Sequence, residues 1–261
     1  MRCLVNVGIA DVWSKPEFNS ERMTQALFHE PVEVLERGQA FSLVQLGDGY
    51  TGHISNDFLT EADSQNEADY MVSASIAVAH AEADIEAPTV TILPFTAAIK
   101  VDDFHGEFAS CTTKRYGDLF LAKDDIVPIE QTPHLSRDMI PLLLSSAKRF
   151  IGVPYLWGGK SFFGFDCSGF VQVNAKFFNV GLPRDTKDQI KVGREISRDA
   201  IKPGDLLFFE RHVALAINSK DFIHSSLSQG GVHINSFDPT GPHYLERLDR
   251  GFKAARRIVA D

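Results

Sequence analysis

Apolar and polar residues alternate with a period of two in several short stretches near the start of the chain. Such alternation is typical of strands that bury one face. Turn-forming residues, Gly38 and the pair Asp48-Gly49, separate the later stretches. The alternating stretches are residues 10–13, 32–36, 41–46 and 50–54. We therefore predict a small β-barrel over residues 1–62.

A second series of alternating stretches follows at residues 72–78, 89–94 and 116–121. Because it repeats the pattern of the first series, we predict a second small β-barrel over residues 68–127. The acidic stretch at 61–67 predicts a linker between the barrels, and a further linker is expected near residues 128–133.

The pattern becomes helical from Ser136, where apolar residues recur every three or four positions up to Gly152. A second helix is predicted to begin at Cys167 with Asp166 as its N-cap, and a short third helix covers residues 185–192. Apolar stretches at 206–209, 213–217 and 222–224 then predict a meander of strands. Helices followed by strands predict an α+β domain over residues 134–261.

The net charge of −9 is unevenly distributed along the chain. Residues 1–130 carry 8 basic and 22 acidic residues, and residues 131–261 carry 18 basic and 13 acidic residues. The acidic first half argues against a nucleic-acid partner. No apolar run has the length of a membrane span or a signal peptide, so we expect no membrane partner and a cytoplasmic location. The sequence does not indicate an oligomeric state.

Three cysteines, Cys3, Cys111 and Cys167, lie far apart and do not suggest a disulfide framework, which is typical of a reducing compartment. Cys167 differs from the other two because it begins a predicted helix. The backbone N–H groups and dipole of a helix N-terminus favour a thiolate, so we expect a lowered pKa and a nucleophilic sulfur.

Two histidines later in the chain are candidates for the base that would accept the proton of this thiol. His212 begins one predicted strand and His224 ends the next, twelve residues later. Antiparallel pairing of the two strands places both rings on one edge of a sheet. A thiol with one histidine to take its proton, and a second polar group to hold that ring, is the arrangement of a cysteine hydrolase.

The same three residues, Cys167, His212 and His224, are also of the types that bind zinc. However, the chain has no C-x-x-C or H-x-x-x-H pairing around them, and its glycines match no phosphate-binding loop. We therefore predict no metal and no cofactor.

A set of motifs resembles the NlpC/P60 family of cell-wall peptidases, in the order expected for it. The resemblance covers about half of the chain and implies a papain-like α+β domain. The motifs are Tyr155-x-Trp157-Gly158-Gly159, Asp166-Cys167-Ser168-Gly169-Phe170, Pro203-Gly204-Asp205-Leu206-x-Phe208-Phe209, His212-Val213 and Ile223-His224.

The resemblance implies a role for each of the catalytic residues. Cys167 is the nucleophile, His212 the base and His224 the residue that orients His212. Tyr155 lies beside the thiol and assists the oxyanion site, and Trp157 is predicted to belong to the core.

The resemblance also implies residues that bind substrate. Asp166 and Ser168 contact the free amino group of the first substrate residue, and the loop with Arg184 and Asp185 meets a D-glutamate. The Asp48-Gly49-Tyr50-x-Gly52 turn resembles that of bacterial SH3-like domains. Both predicted barrels are interpreted as SH3-like, and Tyr50 is expected to reach toward the same amino group.

By resemblance, the chain is a cysteine endopeptidase acting on small murein peptides with a free N-terminal L-alanine. It would cut the bond between γ-D-glutamate and a diamino acid during the recycling of wall peptides, with the SH3-like domains narrowing the cleft. Two alternatives remain open: another thiol acyl-transfer enzyme on the same scaffold (an amidase, acyltransferase or thioesterase), and a non-catalytic SH3-like protein that binds the wall.

Overall fold

The computed structural model describes residues 1–62 and 67–259. The chain forms two compact units, Met1–Thr132 and Pro133–Asp261. The predicted linker between the two barrels includes residues 63–66, which lie outside the described residues. No helix in the described ranges is long and apolar enough to cross a membrane.

The first half of the first unit is a seven-stranded antiparallel sheet with the order β3-β2-β6-β5-β4-β1-β7. Alternate residues of its strands, such as Val12, Val44 and Ile54, are buried in one apolar core, as the period-two pattern predicts. A short 3-10 helix, Asn56–Phe58, joins the last two strands. The strands are β1 Arg2–Val5, β2 Ile9–Trp13, β3 Arg22–Leu27, β4 Pro31–Arg37, β5 Phe41–Leu46, β6 Thr51–Ser55 and β7 Leu59–Glu61.

The second half of this unit has two sheets, with the orders β10-β9-β14-β13-β12 and β11-β8-β15. A 3-10 helix, Lys123–Asp125, again precedes the last strand, and another, Ile129–Gln131, follows it. The strands are β8 Tyr70–Val72, β9 Ile76–His80, β10 Thr89–Pro94, β11 Ala98–Ile99, β12 Asp103–His105, β13 Phe108–Thr113, β14 Gly117–Ala122 and β15 Ile126–Pro128.

The strand pairing of the second half repeats that of the first. Strand β8 pairs with β11 and β15 as β1 pairs with β4 and β7. Strand β9 pairs with β10 and β14 as β2 pairs with β3 and β6, and β13 lies between β12 and β14 as β5 lies between β4 and β6. The one difference is that two short strands, β11 and β12, take the place of β4. The first unit therefore contains the same topology twice.

The two repeats share buried apolar contacts. Leu27 and Phe28, at the end of β3, are buried in the same cluster as Val72, Leu93 and Ile99 of the second repeat. Burial of two large side chains of one repeat in the core of the other explains why the described part of residues 1–132 forms one compact unit.

The second unit places its helices around a six-stranded sheet with the order β18-β23-β19-β20-β21-β22. Its mixed helix and sheet composition agrees with the predicted α+β domain. The helices are α1 Ile140–Lys148, α2 Cys167–Phe177, α3 Thr186–Gln189 and α4 Glu246–Arg250; the strands are β16 Lys160–Ser161, β17 Gly164–Phe165, β18 Arg194–Ile196, β19 Leu206–Phe209, β20 His212–Ala216, β21 Asp221–Ser226, β22 Gly231–Ser236 and β23 Ala254–Arg257.

Helices α1 and α3 are shorter than predicted, α2 begins at Cys167 as predicted, and α4 was not predicted. Helix α1 begins after a 3-10 turn at Arg137–Met139 and ends at Lys148, and α3 is a single turn. Helix α2 packs against β20 and β21, with Phe170, Val171 and Val173 buried. This contact brings the start of α2 to the two strands that carry the predicted histidines.

A buried ion pair joins two neighbouring strands of the sheet, β19 and β23. Asp205, directly before β19, is 1% exposed. Arg257, at the end of β23, donates to both of its carboxylate oxygens, with Nε–Oδ1 at 2.8 Å and Nη2–Oδ2 at 2.7 Å. The backbone N–H of Lys202 donates to the same carboxylate at 2.8 Å. The aspartate of the Pro203-Gly204-Asp205 motif therefore has a structural role.

Loss of Arg257 should destabilise the second unit because it leaves the Asp205 carboxylate buried without its counter-ion. We expect Arg257→Met to lower the free energy of unfolding by about 3 kcal/mol. The matched control is Arg250→Met, since Arg250 forms an exposed pair with Glu246 at 2.7 Å and its loss should cost less than about 1 kcal/mol. Urea denaturation measures both. Equal effects of the two substitutions would contradict the structural role of Asp205.

Candidate active site

Helix α2 begins at Cys167 because the side chain of Asp166 caps it. Asp166 has an extended backbone, and its Oδ1 accepts a hydrogen bond from the Gly169 N–H at 2.7 Å. Its Oδ2 accepts from the Gly158 N–H at 3.0 Å. Gly169 allows this close packing, since a Cβ there would lie 2.3 Å from the carbonyl oxygen of Gly159. The predicted N-cap is confirmed.

The Asp166 carboxylate also forms a buried ion pair that the sequence did not reveal. Arg184 donates from Nη1 to Oδ1 at 3.0 Å and from Nη2 to Oδ2 at 2.5 Å. The same Nη1 donates to the Ser168 hydroxyl at 2.7 Å, and the Arg184 side chain is only 1% exposed. Asp166, Ser168 and Arg184, which were all predicted to bind substrate, therefore form one hydrogen-bonded network next to Cys167.

Cys167 itself lies at the end of this network and is 7% exposed. Burial raises the pKa of its thiol, and the Asp166 charge raises it further. The expectation of a pKa lowered by the helix terminus is therefore wrong. Burial and the adjacent Asp166 carboxylate, which both disfavour the thiolate, outweigh the effect expected of the helix terminus.

The sulfur lies against the backbone on both sides of His212. Its Sγ is 4.0 Å from the carbonyl oxygen of Arg211 and contacts the backbone of Val213. Arg211 lies in the tight turn between β19 and β20 and has a φ of 54°, a left-handed conformation that is uncommon for a residue with a side chain. This strained turn directly precedes His212, the first residue of β20, so the sulfur lies beside the backbone at His212.

The two histidines form a direct hydrogen bond. Nε2 of His212 is 2.6 Å from Nδ1 of His224, and the strands β20 and β21 that carry them are antiparallel neighbours, as predicted. Nε2 of His224 is in turn 2.8 Å from Oδ1 of Asn235 on β22. Because Nε2 of His212 is bonded to His224, its Nδ1 is the nitrogen that can serve Cys167.

Both rings are held neutral by their surroundings. Burial lowers the pKa of His212, and the neighbouring His224 and Arg247 lower it further. Burial likewise lowers the pKa of His224, which is 0% exposed. These shifts favour a thiol and two neutral imidazoles in the resting site. Among residues 1–62 and 67–259, no group of three or more His, Cys, Asp or Glu side chains is arranged to hold a metal ion.

Tyr155 lies near Cys167, and its phenol keeps its proton. Burial raises the pKa of its phenol, and the neighbouring Cys167 and Asp166 raise it further. Its backbone N–H donates to the carbonyl of Gly230 at 3.1 Å, in the loop between β21 and β22. A protonated phenol remains a hydrogen-bond donor, which an oxyanion site requires. Trp157, predicted to be in the core, is instead 60% exposed.

The loop before α3 also contacts the site. The Thr186 hydroxyl is 3.9 Å from the Cys167 sulfur. Gln189 is fully buried, and its amide donates to the carbonyls of Ser168 and Pro183 at 3.1 and 2.8 Å, which ties α3 to α2. Asp185 makes no capping hydrogen bond to α3; its carboxylate pairs with Lys187 at 3.2 Å.

Sequence reasoning missed Asn235 and Thr186. A signal existed for Asn235, because it is a polar residue in a strand that pairs directly with the strand of His224.

Tyr50, which was predicted to bind substrate, belongs to the first unit. Its backbone N–H donates to the Asp48 carboxylate at 3.0 Å. Its contact with substrate stays a prediction.

The comparisons with known proteins agree with this geometry. The sequence profile of the NlpC/P60 family matches residues 152–248, which include Cys167, both histidines and Tyr155. A protein of Bacillus subtilis (strain 168) named gamma-D-glutamyl-L-lysine dipeptidyl-peptidase is 32% identical over 83% of this chain and 76% of its own length. The chain belongs to the NlpC/P60 family. It is therefore a peptidase, as predicted.

Further relatives extend the likeness of this NlpC/P60 peptidase over its whole length. Dipeptidyl-peptidase 6 of Lysinibacillus sphaericus is 28% identical over 95% of this chain and 96% of its own. The profile of the bacterial dipeptidyl-peptidase SH3 domain matches residues 12–59, so the first repeat is an SH3-like domain. The crystal structure of an NlpC/P60 family protein from Bacillus cereus covers 100% of both chains with a TM-score of 0.84 at 21% identity, which shows the same fold.

The raised pKa of the Cys167 thiol predicts how its alkylation depends on pH. A thiol whose pKa lies above neutrality is protonated at lower pH, so the thiolate fraction grows about tenfold per pH unit. We expect the rate of alkylation by iodoacetamide to rise steadily between about pH 6 and pH 8. Mass spectrometry of the Cys167 peptide measures this rate.

The control in the same experiment is Cys111, which is 2% exposed and whose pKa is raised to about 12, so it should remain unlabelled. A rate for Cys167 that is constant below pH 7 would instead indicate a stable thiolate–imidazolium pair, and would contradict the neutral resting state.

Proposed function

We propose that this peptidase hydrolyses the bond between γ-D-glutamate and a diamino acid in small murein peptides that begin with a free L-alanine. The observation that carries the proposal is the thiol at the capped start of α2, beside the bonded pair of His212 and His224. The bond type is supported by the Bacillus subtilis relative, whose name specifies a γ-D-glutamyl-L-lysine dipeptidyl-peptidase.

The first half of the reaction forms a thioester. Nδ1 of His212 takes the proton of the Cys167 thiol as the sulfur attacks the γ-carbonyl carbon of D-glutamate. The carbonyl oxygen becomes an oxyanion, for which the backbone N–H groups at the start of α2 and the phenol of Tyr155 are the proposed donors; such a donor commonly contributes about 3–4 kcal/mol. The C–N bond then breaks, and the departing amine takes the proton from His212.

The second half regenerates the enzyme. A water attacks the thioester carbonyl and gives a proton to Nδ1 of His212. The C–S bond then breaks, the dipeptide acid leaves, and the sulfur takes the proton back from His212. His224 holds the His212 ring in register throughout, through the 2.6 Å hydrogen bond.

Asp166 and Ser168 are the proposed contacts of the substrate ammonium group. Their buried partner Arg184 fixes both side chains at the start of α2. Arg184 therefore supports this site from within, and we infer that its effect on the substrate passes through Asp166 and Ser168. The contact proposed for D-glutamate remains the loop of Arg184 and Asp185, which leads into Thr186 beside the thiol.

We also propose that the second repeat of the first unit is a second SH3-like barrel. Its strands repeat the pairing of the first repeat, including the 3-10 helix before the last strand.

We further propose that the protein works in a reducing compartment, and so recycles wall peptides in the cytoplasm. This proposal is supported by its three cysteines, which are all free thiols.

The proposal predicts cleavage of L-Ala-γ-D-Glu-L-Lys, or of its diaminopimelate analogue, with release of L-Ala-D-Glu. Mass spectrometry of the products measures it. Cys167→Ala and His212→Ala should each lower kcat by about 10⁴-fold or more, since they remove the nucleophile and the base. Cys3→Ala is the matched control, because Cys3 lies in the core of the first repeat. Undiminished cleavage by Cys167→Ala would overturn the mechanism.

The same peptide with an acetylated N-terminus tests whether the enzyme recognises the free amino group of its substrate. Acetylation removes the charge that Asp166 and Ser168 are proposed to contact, so we expect its cleavage to be lost. Cleavage of both peptides would support the peptidase activity and contradict the proposed contact of Asp166 and Ser168 with the substrate amine. Cleavage of neither, with turnover of an acyl ester, would favour the acyl-transfer alternative.

A further inference from the structure

A buried asparagine continues the line of hydrogen bonds beyond the two histidines. We propose that Asn235 is a positioning residue that decides which ring nitrogens of His224 and His212 carry hydrogen, and so keeps Nδ1 of His212 unprotonated. This inference rests on the proposed function only for its kinetic consequence, because the state of the rings can be measured without substrate.

The orientation of the Asn235 amide is fixed by the protein backbone. The side chain is 7% exposed, and its Nδ2 donates to the carbonyl oxygen of His243 at 3.2 Å. That carbonyl is held in place because it also accepts from the Ser236 N–H at 2.8 Å. Rotation of the amide by 180° would set its oxygen against the His243 carbonyl, which places two acceptors together. Oδ1 therefore faces His224.

The direction of each following hydrogen bond is then determined. Oδ1 of Asn235 can only accept, so the hydrogen of neutral His224 lies on Nε2. Nδ1 of His224 consequently has a lone pair and accepts from Nε2–H of His212 at 2.6 Å. His212 therefore has its hydrogen on Nε2 and a lone pair on Nδ1.

This tautomer is the one that the reaction requires. A lone pair on Nδ1 can accept the thiol proton of Cys167, whereas Nδ1–H would present a donor to a donor. Within the described residues, the ring nitrogens of His224 bond to His212 and Asn235. The choice between the two tautomers therefore depends on the acceptor that Asn235 supplies, although Asn235 touches neither the substrate nor the thiol.

The first test uses the unmodified full chain. Nitrogen NMR of the protein labelled with ¹⁵N-histidine distinguishes a protonated from an unprotonated ring nitrogen. We expect Nε2 to be protonated and Nδ1 unprotonated in both His212 and His224 at neutral pH. Protonation at Nδ1 of either ring would overturn the proposal, whether or not the murein peptide is a substrate.

The second test removes the acceptor and keeps the branched shape of the side chain. In Asn235→Leu the ¹⁵N signals of His212 should show a mixture of tautomers. We expect kcat for peptide cleavage to fall by about 100-fold with little change in KM, because the wrong tautomer cannot take the thiol proton. A folded Asn235→Leu protein with unchanged tautomer and unchanged kcat would contradict the proposal.

Asn174→Leu is the matched control for the loss of a buried asparagine. Asn174 is 1% exposed in α2, and its amide donates to the Phe170 carbonyl at 2.8 Å. We expect this variant to keep the tautomer and kcat of the unmodified protein. If Asn235→Leu does not fold, the measurement on the unmodified chain decides the proposal alone.

Discussion

The active site depends on one buried carboxylate, that of Asp166. A buried charge is costly unless it is paired and hydrogen-bonded, and three parts of the chain meet here to satisfy it. The loop before β16 supplies the Gly158 N–H, the first turn of α2 supplies the Gly169 N–H, and the loop before α3 supplies the Arg184 guanidinium. The position of Cys167, one residue after Asp166, follows from this arrangement.

The surroundings of the site favour neutral groups at rest. Burial raises the pKa of the Cys167 thiol and lowers the pKa values of His212 and His224. In the proposed reaction, charge therefore develops only when the thiol proton moves to His212 during attack. Under these conditions the chemistry relies on oriented hydrogen bonds more than on a preformed ion pair. The fixed amide of Asn235 and the turn at Arg211 supply that orientation.

The sequence could predict the local features of this site, but not those that depend on packing. Asp166 was recognisable as an N-cap, and the spacing of His212 and His224 predicted their neighbouring strands. The raised pKa of Cys167 could not be predicted, because the sequence does not show how deeply its side chain is buried. Asn235 was missed because its contact with His224, a diagonal neighbour on the paired strand, depends on the register of β21 and β22.

The first unit contains one strand topology twice, formed by two stretches of different sequence. Its two repeats have the same strand pairing, and the SH3 profile matches residues 12–59 of the first repeat. Alternation of apolar residues and correctly placed turns are enough to maintain the pairing, even where β4 is replaced by two short strands. The shared contact is more demanding, because Leu27 and Phe28 complete the core of the second repeat. Separation of the repeats would expose both side chains to water, so the duplicated topology is stable as a pair.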